Sequence, residues 1–371
     1  MIQRMTDIIR ERIWAARLGS DRMLSGSAPV TMRRQLAALA GGAGLDGPTD
    51  FYGVGGPVGE LEERVALLLG TEAAVFFPTG VMAQQVALRY GAELLGRSAV
   101  GMHPLSHLEV HEHHAYAQLS GLRAVWPTTA PRNPTAVEVA AIGEPISTMM
   151  FELPMRDAGF VLPSWDELVA AVDASRAVGA RVHFDGARLW ESTIHLGRTL
   201  SEIAALADSV YVSFYKTLGG ISGSALAGTA ELAAYARKWQ RRYGGSIFQQ
   251  WPVALSALAG LDAELPRVDG YVRHAGTIAT ALAGLPGARV YPEVPHTHQF
   301  QLWLPHSAAA LNEAALVLAE EEKVWFVHGW RDTALPGVAM AEVTVAGPGS
   351  EWSAEEVAEV GARFLALLDR D

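Results

Sequence analysis

The chain has 371 residues, half of them apolar and 19% charged, which is the balance of a folded globular protein. Its formal charge of −11 argues against nucleic acid or an anionic membrane surface as a partner. Cysteine is absent, which excludes disulfides, thiolate metal sites and a cysteine nucleophile.

The N-terminal stretch mixes charged with apolar residues, so it predicts an amphipathic helix and not a signal peptide. No uncharged apolar run is long enough to span a membrane. We therefore expect a soluble, cytoplasmic protein that acts on a small molecule.

The first part of the chain alternates between helical and strand patterns. Two helices are predicted within residues 3–40, and a glycine-rich segment over 41–56 leads into a helix between Pro57 and Gly70. The strand candidates that follow are AAVFF (73–77), AVGM (99–102), RAVWP (123–127), STMMFE (147–152), ARVHF (180–184), SVYVSF (209–214) and SALAG (224–228). Short apolar strands between helices are typical of an α/β protein with a mostly parallel sheet.

The pattern changes after about residue 250. Long Ala/Leu helices are followed by two strand candidates and a last helix, at whose start Ser353 and Glu356 form a capping-box pair. We predict an N-terminal helical arm over 1–45, a large domain over 46–255 and a smaller α+β domain over 256–371.

Lys216 is one of only three lysines, and its setting differs from that of the other two. It follows the apolar strand candidate at 209–214 and precedes Gly219 and Gly220. A lysine at the end of a buried strand loses hydration, which lowers its pKa and makes it a usable amine nucleophile. The alternative is a surface lysine in a loop between strands.

Two further stretches carry groups that suit a bound anionic cofactor. Pro78-Thr79-Gly80 joins a strand to a helix, and free N–H groups at a helix start can bind phosphate. HFDGARLW places Asp185 at the end of a strand, with Arg188 available for a carboxylate or phosphate. Asp185 precedes Lys216 by about one helix and one strand, so we expect both at neighbouring strand ends.

Five of the twelve histidines lie within one short stretch: His103, His107, His111, His113 and His114. Spacing by four would align the first three on one helical face, which suits a metal. Pro104 disfavours a helix through His103, and the H-E-x-x-H signature is absent. We predict no metal here; the segment is either a solvated or interface helix or, as the alternative, one that provides an aromatic stacking role.

An amine nucleophile, a nearby acid, an anion-binding helix start and an arginine together describe a pyridoxal-phosphate site. At this point the residues resemble the L-threonine aldolases and related β-eliminating lyases of the fold type I, aspartate aminotransferase-like group. The matching stretches lie between about 50 and 250 and are FYGVGGPVGELEERVALLLGTEAAVFFPTGVMAQQ, SHLEVHEHHAYAQLSG, HFDGARLWES and DSVYVSFYKTLGG.

The resemblance implies a role for each matching residue. Lys216 would form the Schiff base with pyridoxal 5'-phosphate, Asp185 would partner the ring nitrogen, and His107 would stack on the ring. The phosphate would lie against three consecutive residues: Thr79, Gly80 and Val81. Arg188 would contact the substrate carboxylate and the cofactor. Tyr52, also a substrate residue, would lie near the interface of a homodimer or homotetramer.

The chain also departs from the family pattern at positions that touch the substrate or the phosphate. Val81 replaces a hydroxyl residue, FELPMRDAG lacks the family's histidine, and Phe248 stands at a basic position. Ala341 stands where the family has a second carboxylate-binding arginine, for which Arg331 is the nearest substitute. Cofactor binding is therefore expected to be intact and substrate recognition altered.

The leading hypothesis is a retro-aldol lyase that cleaves β-hydroxy-α-amino acids of the threonine or phenylserine type to glycine and an aldehyde. His107 is the base candidate, because an imidazole titrates near the working pH. The same cofactor also supports β-elimination, racemisation or transamination of another amino acid. Two alternatives without the cofactor are a binding protein on a decayed enzyme scaffold and a metal hydrolase built on the histidines.

Overall fold

The computed structural model of the protein describes residues 2–42 and 44–369. The helices of these residues are α1 (Ile2–Leu18), α2 (Met32–Ala40), α3 (Gly56–Leu69), α4 (Gly80–Leu95), α5 (His107–Val110), α6 (Ala115–Ser120), α7 (Ala136–Ala140), α8 (Trp165–Ala177), α9 (Thr193–Leu196), α10 (Leu200–Ala204), α11 (Ala230–Arg242), α12 (Trp251–Ala263), α13 (Leu265–Ala283), α14 (Ala308–Glu322) and α15 (Ala354–Ala366). The strands are β1 (Arg22–Met23), β2 (Ala73–Phe77), β3 (Ala99–Gly101), β4 (Arg123–Val125), β5 (Thr148–Glu152), β6 (Arg181–Gly186), β7 (Ser209–Ser213), β8 (Ser224–Gly228), β9 (Arg289–Tyr291), β10 (Gln299–Leu304), β11 (Val324–Trp325), β12 (Arg331–Asp332) and β13 (Ala339–Thr344).

The largest sheet among the described residues has seven strands in the order β2-β8-β7-β6-β5-β3-β4. The five strands from β7 to β4 are parallel, whereas β8 runs antiparallel to both β7 and β2. Each predicted strand of this part of the chain is present, with ends that agree to within two residues. The predicted α/β class with a mostly parallel sheet is confirmed.

The register of the central strands brings polar side chains together. Glu152 of β5 is level with Asp185 of β6, and Asp185 is level with Tyr211 of β7. The carboxyl ends of parallel strands meet at one edge of a sheet, which is where α/β proteins bind ligands. A ligand-binding site is therefore expected at this edge of the sheet.

The chain forms two compact units, one of residues 36–267 and one of the described residues within 1–35 and 268–371. The unit limits lie inside α2 and α13, and the predicted domain boundaries after residues 45 and 255 stay predictions. The first unit contains the large sheet. The sheet and the helices around it enclose a hydrophobic core that includes Phe151, Phe184 and Phe214.

The second unit is built on an antiparallel sheet in the order β12-β13-β10-β9. The capping box at the start of α15 is present, with Ser353 N–H donating to Glu356 at 2.9 Å. The short strand β1 pairs with β11, which the sequence did not indicate. Arg12 of α1 donates to Glu313 and Glu320 of α14 at 2.8 Å, which fixes the N-terminal helix in this unit. No helix of the described residues is both long and apolar enough to cross a membrane.

Candidate active site

A cavity of about 220 Å³ lies at the carboxyl edge of the large sheet. The start of α4, the α5 segment, the end of β6 and the loop after β7 supply its lining. Six of the residues predicted from the sequence line it together: Thr79, Gly80, Val81, His107, Asp185 and Lys216. One cavity thus contains the predicted amine, acid, imidazole and anion-binding helix start.

Lys216 lies in the loop between β7 and β8, two residues after the buried Phe214 that follows the end of β7. The loop folds back because Gly220 N–H donates to the Phe214 carbonyl at 2.8 Å, and Gly219 has a φ of +68° that favours glycine. Burial, assisted by the positive charge of Arg188, lowers the pKa of Lys216. A larger fraction of the amine is therefore unprotonated and able to attack a carbonyl carbon.

Asp185 provides a buried carboxylate in the wall of the cavity. Its Oδ1 accepts a hydrogen bond from the backbone N–H of Ala187 at 3.1 Å, which fixes the carboxylate at the end of β6. A buried carboxylate is costly unless it is paired, so this position suits a cationic partner such as a protonated ring nitrogen.

Glu152 is a second buried acid beside Asp185 that was not among the predicted site residues. Burial, with the negative charge of Asp185 added, raises the pKa of Glu152 to about 7. Its two oxygens accept the backbone N–H groups of His107 at 2.8 Å and Arg156 at 3.1 Å. Glu152 therefore attaches the His107 segment to the end of β5. One sequence signal could have identified it: Glu152 ends the strand candidate that comes before the one followed by Asp185.

His107 begins α5, and Glu112 holds its ring. Nδ1 of His107 lies 3.0 Å from Oε1 of Glu112, whose side chain is almost fully buried and also lines the cavity. Burial lowers the pKa of His107, but the hydrogen bond with Glu112 and the charge of Asp185 outweigh it, so the pKa is raised. With Nδ1 occupied, Nε2 is the nitrogen left to exchange a proton. The sequence placed Glu112 in the histidine cluster but did not connect it with His107.

Three other histidines of the cluster have separate partners. His103 precedes α5, as Pro104 indicates, and its Nε2 lies 2.7 Å from the Ala130 carbonyl oxygen. Nε2 of His111 lies 2.8 Å from Asp157, and Nδ1 of His114 lies 3.2 Å from Glu109. Within residues 2–42 and 44–369, no group of three His, Asp or Glu side chains is arranged to hold a metal ion.

The start of α4 offers backbone N–H groups to an anion. Thr79 is the N-cap, and its hydroxyl oxygen accepts the Met82 N–H at 3.3 Å. A Cβ at Gly80 would collide with the Tyr211 hydroxyl, so only glycine fits this position. The first N–H groups of a helix and its dipole stabilise phosphate. With the Lys216 amine and the Asp185 carboxylate in the same cavity, the residues present fit pyridoxal phosphate.

Three predicted substrate residues are not among those that line the cavity. Arg188 lies over the Phe160 ring at 5.4 Å, and its charge reaches Lys216. Tyr52 lies in an exposed loop. Arg331 belongs to β12 of the second unit and pairs with Glu342 at 3.0 Å. The roles predicted for all three stay predictions.

The fold and the cavity together define a pyridoxal-phosphate-dependent enzyme of fold type I. More narrowly, the family model of the beta-eliminating lyases matches residues 23–302, so the chain belongs to this family. The resemblance predicted from the sequence is confirmed, and so are the lyase class and the pyridoxal-phosphate cofactor.

Individual relatives agree with this family. Low-specificity L-threonine aldolase 1 of Arabidopsis thaliana is 25% identical over 76% of this chain and 81% of its own length. A solved Listeria monocytogenes structure, provisionally named an L-allo-threonine aldolase, is 32% identical with a TM-score of 0.89 and covers 96% of this chain and 99% of its own. A structure from Exiguobacterium sp. 255-15, provisionally named an aromatic amino acid beta-eliminating lyase/threonine aldolase, is 34% identical with the same TM-score and coverage.

Proposed function

We propose that this enzyme cleaves β-hydroxy-α-amino acids to glycine and an aldehyde. The observation that supports this most is the Lys216 amine, with its lowered pKa, in one cavity with the Asp185 carboxylate and the His107 imidazole. The named threonine aldolases among the relatives agree with a retro-aldol reaction.

The residues of the cavity divide the work between holding the cofactor and moving a proton. Lys216 Nζ is the amine that would hold the cofactor, and the first N–H groups of α4 would hold its phosphate. Asp185 would keep the ring nitrogen protonated. When bound, pyridoxal phosphate supplies an electron sink for the pair left on the substrate's α-carbon.

The proton that must move first is that of the β-hydroxyl group. Nε2 of His107 accepts it in this proposal, because Nδ1 is engaged by Glu112. The Cα–Cβ bond then breaks, the β-carbon leaves as an aldehyde, and a proton added to Cα completes glycine. Arg188, which lies within electrostatic reach of Lys216, would hold the substrate carboxylate. Glu112 acts through His107 and is a positioning residue.

The test is incubation with β-phenylserine and measurement of every product. We expect benzaldehyde and glycine in equal amounts, and neither product from K216A. Ammonia with a 2-oxo acid and no glycine would contradict aldol cleavage and indicate β-elimination, the alternative that the sequence left open.

We further propose that the protein assembles as a homodimer or homotetramer through the loop that carries Tyr52. The rings of Phe51, Tyr52 and Phe248 meet edge to face with centroids 4.9–5.4 Å apart, and each ring is at least half exposed. Asp50 joins the loop that carries Tyr52 to the segment that follows Phe248, by accepting the Gln250 N–H at 2.8 Å. Such an exposed aromatic group is typical of a protein interface.

Light scattering on the wild type and on F51S/F248S measures the assembly. We expect the mass of a dimer or tetramer for the wild type and a smaller mass for the variant. A monomeric wild type would contradict this proposal.

The cytoplasmic location of the protein also stays a prediction.

A further inference from the structure

Gln84 of α4 has a buried amide group. The residue is 1% exposed, and within the described part of the chain its Nε2 has no hydrogen-bond partner. Leaving such a donor unpaired in the interior is unfavourable, so a native protein pairs it with a side chain, water or ligand. Gln84 also lines the cavity that holds Lys216 and Asp185.

The other end of the Gln84 amide belongs to a fully buried relay. Oε1 of Gln84 lies 2.7 Å from Nε2 of His183, and Nδ1 of His183 lies 2.8 Å from the hydroxyl of Ser209. Burial lowers the pKa of His183 to about 3, so the ring is neutral and has one N–H. The hydrogen-bond network assigns that N–H to Nε2, which donates to Gln84, while Nδ1 accepts from Ser209.

This polarity directs the Gln84 nitrogen away from the relay. His183 and Asp185 are two residues apart on β6, so their side chains share one face of the strand. Gln84, bonded to the first, is therefore close to the part of the cavity lined by the second. Val81, nearer the helix start, has no polar side-chain atom to donate there. Beside the hydroxyl, imidazole and amine groups of its lining, the cavity thus also has the Gln84 amide as a donor.

We propose that Nε2 of Gln84 donates a hydrogen bond to an anionic oxygen of the bound cofactor. The proposal rests on the pyridoxal-phosphate site described above and adds a binding residue to it. Pyridoxal phosphate has two kinds of anionic oxygen, those of the phosphate and that of the ring phenolate. Ser209 and His183 orient the amide and so act as positioning residues.

The experiment measures cofactor affinity in the full chain after removal of the cofactor. Q84E keeps an acceptor for His183 but replaces the donor with an oxygen, and Q84M removes both. Q85M is the matched control, because Gln85 is the next residue, equally buried and also has an unpaired Nε2, yet does not line the cavity. Each protein is titrated with pyridoxal phosphate, pyridoxal and inorganic phosphate, and the melting of each cofactor-free form is recorded.

We expect pyridoxal phosphate to bind about ten- to a hundredfold more weakly to Q84E and Q84M, as for a lost hydrogen bond to a charged group. Binding to Q85M should stay within about twofold of the wild type, well below the effect of one such bond. If the acceptor is the phosphate, inorganic phosphate weakens in parallel and pyridoxal does not. If it is the phenolate, pyridoxal weakens and inorganic phosphate does not.

Two results would overturn the proposal. One is wild-type affinity for pyridoxal phosphate in both Gln84 variants. The other is loss of cooperative melting in both cofactor-free variants, which would assign Gln84 to the core. A wild type that does not bind pyridoxal phosphate would instead contradict the cofactor site itself, so the two failures are distinguishable.

Discussion

The substitution E152Q tests the electrostatics of the two buried acids at the carboxyl edge of the sheet. Burial beside Asp185 raises the pKa of Glu152 from its ordinary value of 4.5 to about 7. The folded protein therefore keeps a proton on Glu152 at pH values where the unfolded chain has lost it. The contribution to stability is fully present below pH 4.5 and is lost as the pH rises through 7.

The size of the effect follows from these two pKa values. One pKa unit between them corresponds to about 1.4 kcal/mol, so the wild type should lose roughly 2–3 kcal/mol from this group between pH 5 and pH 8. Glutamine does not titrate, and E152Q lacks this loss. It also loses an acceptor for one of the backbone N–H groups of His107 and Arg156, which is a constant offset at every pH.

The assay is urea unfolding of the cofactor-free proteins at pH 5, 6, 7 and 8. The stability of E152Q relative to the wild type should rise by roughly 2–3 kcal/mol across this range. E167Q is the control: hydrogen bonds from Ser164 lower the pKa of Glu167, so its contribution is lost only as the pH falls below 4.5. Its difference from the wild type should stay constant between pH 5 and 8. A constant difference for E152Q as well would refute the reasoning.

Three further substitutions test the site and its surroundings. E112Q should lower kcat and move the acid limb of the pH–rate profile to lower pH, because Glu112 raises the pKa of His107 and the base must be unprotonated; an unchanged profile would contradict this role. G80A should destabilise the protein by about 1–3 kcal/mol in urea unfolding, because the new Cβ meets the Tyr211 hydroxyl; wild-type stability would contradict the packing. H113G should raise the free energy of unfolding by about 0.5–1 kcal/mol, since His113 has a φ of +50°; a loss of stability would show that its side chain is needed.

The large sheet could be predicted from the sequence because its strands are short, apolar and separated by helices. The same pattern indicated that Asp185 and Lys216 meet, since parallel strands bring their carboxyl ends to one edge. The direction of β8 was not predictable, because an apolar run such as SALAG is the same in either orientation. A strand of two residues such as β1 is too short to form a pattern.

The supporting residues of the site could not be predicted for a different reason. Gln84 and His183 are 99 residues apart, and Glu152 meets the His107 N–H across 45 residues. Their importance depends on which side chains the fold places in contact, and local patterns do not contain that information. Arg331 illustrates the same limit, because its pairing with Glu342 depends on the register of β12 and β13.

The measurement that tests the site most directly is the visible spectrum before and after borohydride reduction, on the wild type and K216A. We expect a chromophore in the wild type that borohydride bleaches, with the reduced cofactor attached to the peptide that contains Lys216. K216A should show no covalent attachment. The chain has only two other lysines, Lys238 and Lys323, so the labelled position is easy to assign. A wild type without a reducible chromophore, or a label on either of those residues, would contradict Lys216 as the residue that holds the cofactor.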